Sequence, residues 1–301
     1  MNTLNCFTNF KCINKNCKNS CCERWKIFID KKTLKKYKKY KGDFSATLKE
    51  NVDFKNAQLK MQDGRCAFLN KDNLCNIIIN LGEEYLCNIC RLHPRYVSFL
   101  SKYVEGGIGL SCEEGARLLL NFTDKIAPII PVDKSRLKPF EKKIVEFRDG
   151  VLEILYDNHL PFSNRINDIL DYINVSKEKF FSLRLDRLIE KLEKLDDNWL
   201  GFKRLSFNPI SPSENFTQPL INLTAYFIYR HLINAVDLLD LRSRTLFAIF
   251  SVFAIYNICI TQKEQLNLNL LTDIARSYSA EIEYSLDNLF AVLDFLEPLC
   301  L

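Results

Sequence analysis

Helical spacing of apolar residues dominates the second half of the chain. From about residue 138 onward, apolar side chains recur at intervals of three and four, as in the stripe that contains Val145, Val151 and Leu155. Further segments with this spacing lie at 183–195, 217–239, 242–260 and 279–297. The spacing is typical of amphipathic helices, and no alternating runs separated by glycine turns interrupt it. The pattern therefore predicts helices over residues 138–301 and no parallel nucleotide-binding sheet.

The first part of the chain carries shorter signals. Residues 25–30 (WKIFID) alternate, which predicts a short strand. Asp30 then stands where a helix N-cap belongs, ahead of a lysine-rich segment from Lys31 to Lys41 that has apolar residues at helical spacing. Ser111 and Glu114 have the spacing of a capping box, so we expect another helix to begin there.

The longest apolar run, residues 245–261, predicts a helix in the core of the protein. A helix that spans a membrane wants about 20 apolar residues. This run is shorter, and it contains Ser251 and Asn257. We therefore expect no membrane partner.

These patterns divide the chain into three parts. We expect a cysteine-rich metal-cluster module with short strands over residues 1–122, a linker over residues 123–137, and a helical domain over residues 138–301. The linker carries Pro128 and Pro131. The predicted fold class is mainly α.

Cysteines are concentrated near the start of the chain. Of the twelve cysteines, nine form a series with positions Cys12, Cys17, Cys21, Cys22, Cys66, Cys75, Cys87, Cys90 and Cys112. The first ten residues lack the apolar stretch of a secretory signal, which predicts a cytoplasmic location. Thiols are kept reduced in the cytoplasm, so the crowding favours metal ligands over disulfides.

The cysteine spacing narrows the kind of metal site. Cys87 and Cys90 have the C-x2-C spacing of paired zinc ligands, whereas iron–sulfur clusters accept more varied spacing and need about four thiolates. Cys17 and Cys21 could begin the C-x3-C-x2-C triplet of radical enzymes, but Arg24 occupies the third position. No G-x-G-x-x-G loop is found, and three histidines are too few for a histidine-rich site.

Positive charge is also concentrated in the first part. The net charge is +5, but residues 1–112 hold 20 Lys and Arg against 10 Asp and Glu. Basic neighbours suit a site rich in thiolates. The run from Lys31 to Lys41 could suggest nucleic acid, and we favour a solvated face of an amphipathic helix instead.

Four cysteine blocks, in this order, resemble those of the flagellin lysine-N-methylase (FliB) family. The blocks are FKCxxxxCxxxCCxxWxIxID at residues 10–30, GRCAFL and LCNI at residues 64–77, LGE and LCxxCRxxPR at residues 81–95, and LSCxExAR at residues 110–117. Weaker echoes lie at residues 226–230 and 278–289. The resemblance thus extends from about residue 7 to residue 296.

The resemblance implies a methyltransferase that acts on lysine ε-amino groups of flagellin. It further implies S-adenosylmethionine as the donor and an iron–sulfur cluster, which we expect to be of the 4Fe–4S type and to draw its ligands from the nine cysteines. A broader family with the C-x3-CC motif chelates zinc or iron without a defined activity. The alternative is therefore a structural or redox metal module without methyl transfer, and a zinc-dependent nucleic-acid binder is a third reading.

Two groups of residues are candidates for the reaction itself. Arg91 and Arg95 follow Cys90 and could pair with the carboxylate of the donor. Lysine has a pKa near 10.4 and must lose a proton before it attacks a methyl group, so a base or a desolvating pocket is needed. The candidates from the resembling blocks are Glu83, Glu84, Tyr278, Glu281, Glu283 and Tyr284.

Overall fold

The computed structural model describes every residue except 1, 24, 25, 102, 197, 198, 200, 203, 204, 206, 208, 263 and 264. Two compact units divide the chain. The cysteine-rich unit comprises Lys11–Tyr96, and the helical unit comprises Met1–Phe10 together with Val97–Leu301. Residue 122, where the sequence pattern placed the end of the cysteine-rich part, lies within the helical unit.

Thirteen α-helices are found in the described residues, and the expected mainly α fold class is confirmed. They are α1 (Lys31–Lys39), α2 (Ser45–Asn51), α3 (Asn76–Leu81), α4 (Asn88–Leu92), α5 (Glu113–Leu120), α6 (Pro139–Leu155), α7 (Phe162–Tyr172), α8 (Lys177–Phe181), α9 (Asp186–Ile189), α10 (Glu214–His231), α11 (Leu238–Ile260), α12 (Leu268–Tyr278) and α13 (Leu286–Leu296).

The strands are short, and all of those described lie before residue 109. They are β1 (Asn2–Thr3), β2 (Val52–Asp53), β3 (Gln58–Leu59), β4 (Met61–Gln62), β5 (Arg65–Cys66), β6 (Arg95–Leu100) and β7 (Tyr103–Ile108). One sheet has the order β1-β7-β6, with β1 parallel to β7. The strands β2 and β3 form an antiparallel pair, as do β4 and β5.

The cysteine-rich unit is built on a small apolar core that includes cysteines. The side chains of Ile27, Tyr37 and Phe68 are among its buried members, together with Cys66 and Cys87. A thiol behaves as a small hydrophobe when it is neutral, so cysteines can fill such a core. Cysteine side chains are therefore part of the core of this unit.

The helical unit is organised around α11, which packs against α10, α12 and α13. Within the described residues, α11 is the helix whose length and hydropathy would suffice to cross a membrane, and 89% of its most apolar window is buried. The prediction of a core helix at residues 245–261 is thus confirmed. Helix α6 also matches its prediction, with Val145, Val151 and Leu155 on its buried face.

Three local predictions need correction. Of the segment 183–195, which was predicted to be helical, only the four residues of α9 are in a helix. Residues 26–30 alternate in burial but pair with a neighbour through a single bridge, between Phe28 and Gln58, and so form no strand. Trp25, which opened that prediction, and Arg24 lie outside the described residues. The capping box was also wrong: Cys112 is the N-cap of α5, and Glu114 pairs with Arg117 instead.

Candidate metal centre

Five cysteines of the cysteine-rich unit are brought together from four places in the sequence. Cys66 lies on β5, and its backbone N–H donates to the carbonyl of Cys22 at 2.8 Å. Cys75 is the N-cap of α3, Cys87 is the N-cap of α4, and Cys90 lies within α4. Segments as far apart as residues 22 and 90 therefore contribute thiols to one region.

Backbone N–H groups point at several of these sulfurs. The N–H groups of Ile77 and Ile78, at the start of α3, donate to the sulfur of Cys75. Those of Ile89 and Cys90 donate to the sulfur of Cys87. Such bonds favour the thiolate over the thiol, and in metal sites they tune the bound metal. The turn after each cysteine thus favours the thiolate of its sulfur, although burial outweighs this effect at Cys75 and raises its pKa.

The sulfurs also interact with one another. A hydrogen bond from Cys21 lowers the pKa of Cys22 to about 7. A hydrogen bond from Cys90 likewise lowers the pKa of Cys87 to about 7, and donating it raises the pKa of Cys90. Burial raises the pKa of Cys66 to about 12. All of these thiolates together would repel one another, so full ionisation of the group requires a compensating cation.

The donor set is made of cysteine thiols, which are ligands of both zinc ions and iron–sulfur clusters. All twelve cysteines are free thiols. No three Cys, His, Asp or Glu groups in the described part of the chain are gathered as ligands of one metal ion would be. Tetrahedral zinc, with Zn–S bonds of about 2.3 Å, needs sulfurs about 3.8 Å apart. In an iron–sulfur cluster the thiolates can bind different irons and lie farther apart.

The remaining candidate ligands lie in more varied places. Cys12 is exposed, and its sulfur accepts a hydrogen bond of 3.4 Å from the N–H of Asn14. Cys17 donates to the carbonyl of Asn19 at 3.3 Å. Cys112 belongs to the helical unit, where it stands at the helix N-terminus that the sequence predicted. Cys6, Cys259 and Cys300, which are not part of the series of nine, are buried in the helical unit.

Helix α1 is tied directly to the thiol region. The Asp30 carboxylate caps α1 by accepting from the N–H of Thr33 at 3.0 Å, and it also accepts from the N–H of Asn88 at 2.9 Å. Asn88 follows Cys87, so Asp30 joins the start of α1 to the start of α4. Burial opposes ionisation of Asp30, but these hydrogen bonds outweigh it and lower its pKa. The sequence predicted the cap and missed the second bond.

Tyr37, on the inner face of α1, makes a second tie. Its hydroxyl donates to the carbonyl of Tyr85 at 2.6 Å. Burial raises the pKa of Tyr37, and the nearby sulfurs of Cys87, Cys90 and Cys75 raise it further. Because charge on those sulfurs reaches the phenol, Tyr37 is a neighbour of the thiol region that no motif identified.

The predicted donor-binding arginines lie in the cysteine-rich unit. Arg91, in α4, is exposed and donates to the side-chain oxygen of Asn88 at 2.7 Å. Arg95 is the exposed first residue of β6. Glu83 is exposed in a short turn, Glu83–Tyr85, that precedes Cys87. These three side chains are therefore open to small molecules from solvent.

Four of the other candidate bases lie in the helical unit, where Tyr278, Glu281 and Glu283 are buried, and Glu84 is exposed beside Glu83 in the cysteine-rich unit. Tyr278 is fully buried, with its hydroxyl 2.8 Å from that of Ser251. Glu281 is 2% exposed and accepts from the backbone N–H groups of Leu195 and Asp196 at 2.7 and 3.1 Å. Their environments indicate packing and loop-anchoring roles, since a lysine of another protein cannot reach them.

Tyr284 borders a buried cluster of charges around Glu283. The Glu283 carboxylate lies 3.0 Å from the guanidinium of Arg230 and 2.8 Å from Nε2 of His231. The guanidinium of Arg230 in turn stacks on the half-exposed ring of Tyr284, 5.1 Å from its centroid. Residues about 50 positions apart meet here. In the sequence, the weaker family resemblance at residues 226–230 and 278–289 was the one indication that these segments are connected.

Comparisons with known proteins give relatives of one kind. No family model matches the chain, and no solved structure gives a significant match. Proteins named lysine-N-methylase from Salmonella choleraesuis strain SC-B67 and Salmonella typhimurium strain LT2 are each 31% identical over 129 residues, which is 40% of this chain and 32% of theirs. The chain thus spans about a third of the length of these curated relatives.

A third relative is matched over most of its length. The flagellar biosynthetic protein FliU from Salmonella muenchen is 31% identical over 129 residues, which is 76% of that protein.

Proposed function

Because the chain belongs to the flagellin lysine-N-methylase family, we propose that it methylates lysine side chains of a protein. We propose further that S-adenosylmethionine is the donor, that flagellin is the acceptor, and that an iron–sulfur cluster is bound in the cysteine-rich unit. The observation that carries the cluster is the meeting of five thiols, from Cys22 to Cys90, in the core of that unit.

The proposed ligands are drawn from Cys22, Cys66, Cys75, Cys87 and Cys90. When bound, the cluster would supply iron, which can bind an amine or a carboxylate of an amino acid. The chain contributes the backbone N–H groups that stabilise the thiolates, and an apolar surround that excludes water from them. Arg91 and Arg95, exposed on the same unit, are the proposed partners of the donor carboxylate.

Methyl transfer forms a bond between the lysine Nζ and the methyl carbon and breaks the bond from that carbon to the sulfonium sulfur. S-Adenosylhomocysteine leaves, and the lysine gives up one proton. Of the residues considered as bases, Glu83 and Glu84 are exposed carboxylates that belong to the same unit as the thiols and closely precede Cys87, and the ammonium of Lys36 is bound at Glu84 through its backbone carbonyl. We propose Glu83 as the group that accepts this proton.

A structural metal module without methyl transfer is the second candidate. Cys66 and Cys87 are 5% and 1% exposed and belong to the apolar core of their unit. A metal bound there would stabilise the fold whether or not chemistry follows.

Mass spectrometry of flagellin incubated with the anaerobically purified protein and methyl-labelled S-adenosylmethionine separates the two candidates. We expect labelled lysines, and iron with sulfide in the protein. Cys75→Ser and Cys87→Ser should each lose most of the iron and the labelling, whereas the control Cys300→Ala, in the helical unit, should keep both. Iron-loaded protein that leaves flagellin unlabelled would support the structural role instead.

A further inference from the structure

Helix α1 carries an outer face made of lysines. At about 100° per residue, Lys31, Lys32, Lys35 and Lys39 fall within an arc of about 100° on the nine-residue helix. All four are exposed, and none of them takes part in an ion pair within the described part of the chain. We call these four residues the lysine face.

The lysine face is unfavourable for the helix that carries it. Like charges at i and i+4, such as Lys31 with Lys35, repel each other. Lys31 and Lys32 also lie at the positive end of the helix dipole, where acidic residues are favoured, and apart from the Asp30 cap no acidic residue lies in the first turn. The outer face of a helix needs only to be soluble. A face that mixes positive and negative charges would be soluble without the repulsion between lysines.

Two other lysines of α1 contact the rest of the cysteine-rich unit. Lys36 donates to the carbonyl of Glu84 at 2.9 Å and stands 3.4 Å from the ring centroid of Tyr85. Lys38 lies over the ring of Phe54 at 5.8 Å. These two flank the lysine face and pack onto the unit, whereas the four face residues point their charge to solvent.

The inner side of the same helix borders the thiol region, through Asp30 and Tyr37. An α-helix with its side chains is about 10–12 Å across. A protein lying on the lysine face is therefore held about one helix diameter from the thiols.

We propose that the lysine face docks an acidic surface segment of the methyl-acceptor protein. This inference rests on the proposed function and names how that acceptor is recognised. An acidic protein is favoured over nucleic acid because the face carries no arginine and no exposed aromatic ring, which sites for bases use for paired hydrogen bonds and stacking. Lysines supply point charges, so the docking is electrostatic and tolerant of sequence.

The test measures binding of purified flagellin to the whole protein in the absence of donor. The face variant replaces Lys31, Lys32, Lys35 and Lys39 with Gln, which has nearly the same helix propensity as Lys. The matched control replaces Lys49, Lys55, Lys60 and Lys71 with Gln; these are exposed lysines of the same unit and give the same change in charge.

We expect the face variant to bind flagellin at least about tenfold more weakly, since four surface charge contacts of modest strength are lost. The control should stay close to the wild type. Wild-type affinity should fall steeply with salt, because the screening length shortens from about 8 Å at 0.15 M to about 3 Å at 1 M.

Equal weakening in the control would reduce the effect to net charge and overturn the proposal. So would tighter binding of the wild type to a short DNA duplex than to flagellin at the same salt, which would indicate a nucleic-acid surface. Labelling of flagellin by the wild type, together with unchanged binding by the face variant, would overturn the docking and leave the methyltransferase standing. Binding without any labelling would contradict the methyltransferase alone.

Discussion

Glu283 is a fully buried carboxylate whose ionisation depends on its two basic neighbours. Burial opposes its charge, but the guanidinium of Arg230 and the imidazole of His231 lower its pKa. His231 is itself buried, and burial lowers its pKa below 6.5 in spite of the hydrogen bond to Glu283. The folded protein therefore holds His231 neutral, with Nε2–H donating to the carboxylate. Sequence spacing could not predict this pairing, since it joins residues 52 positions apart.

The titration of His231 makes stability depend on pH. Its pKa is lower in the folded than in the unfolded chain, so the unfolded chain binds the proton more tightly. The free energy of unfolding should therefore fall as pH drops below about 6.5. In His231→Gln, which keeps an N–H donor for Glu283, this part of the pH dependence should vanish, with a loss of about 1–3 kcal/mol at pH 7.

Denaturant titrations between pH 5 and pH 7.5 measure the effect, because the denaturant concentration at the midpoint of unfolding is proportional to the free energy of unfolding. His159→Gln, at an exposed position, is the control, and its free energy of unfolding should depend on pH as that of the wild type does. A parallel pH dependence of wild type and His231→Gln would contradict the buried neutral imidazole.

At the scale of elements, the sequence predicted the start of a helix correctly where residues next to that start determine it. Asp30 caps α1 as the sequence predicted, and α6 begins at Pro139, next to the predicted start. The box at Ser111 failed because the N–H of Cys112 donates to the carbonyl of Gly109 at 3.2 Å and makes a turn. That turn moves the last extended residue from Ser111 to Cys112, so the helix begins one position later than the motif implied.

The double role of Asp30 gives a prediction for α1. Asp30→Ala removes the cap and the bond to Asn88, so the free energy of unfolding should fall by about 1–2 kcal/mol and bound iron should become easier to lose. Asp30→Asn keeps an oxygen acceptor for the N–H of Thr33 and should be affected less. Denaturation and iron content of both variants check this. Full iron retention in Asp30→Ala would show that α1 does not support the thiol region.

At the scale of the whole molecule, patterns predicted the class of each half and not its boundary. The mainly helical character of the region after residue 138 followed from apolar spacing, and the described residues there contain no strand, but between Ile189 and Glu214 they contain no helix either. The helical unit also takes in Asn2–Thr3, whose strand pairs with β7. Pairing between residues about 100 positions apart leaves no periodic signal in either segment. The sequence likewise showed that cysteines are concentrated in this part of the chain, but it could not show that Cys22, Cys66 and Cys90 lie in one region.

Removal of the proposed cluster should act on the two units differently. In the cysteine-rich unit the thiols are part of the core, and without a cation the repulsion among thiolates is uncompensated. We expect the amides of Phe68, Ile77 and Ile89, which lie at the sulfurs, to exchange with deuterium at least about tenfold faster after chelation, a loss of about 1.4 kcal/mol of local stability. Amides of α11, in the core of the helical unit, are the internal control and should exchange as before. Equal acceleration in α11, or none at the sulfurs, would mean that the metal is held elsewhere than in the thiol region.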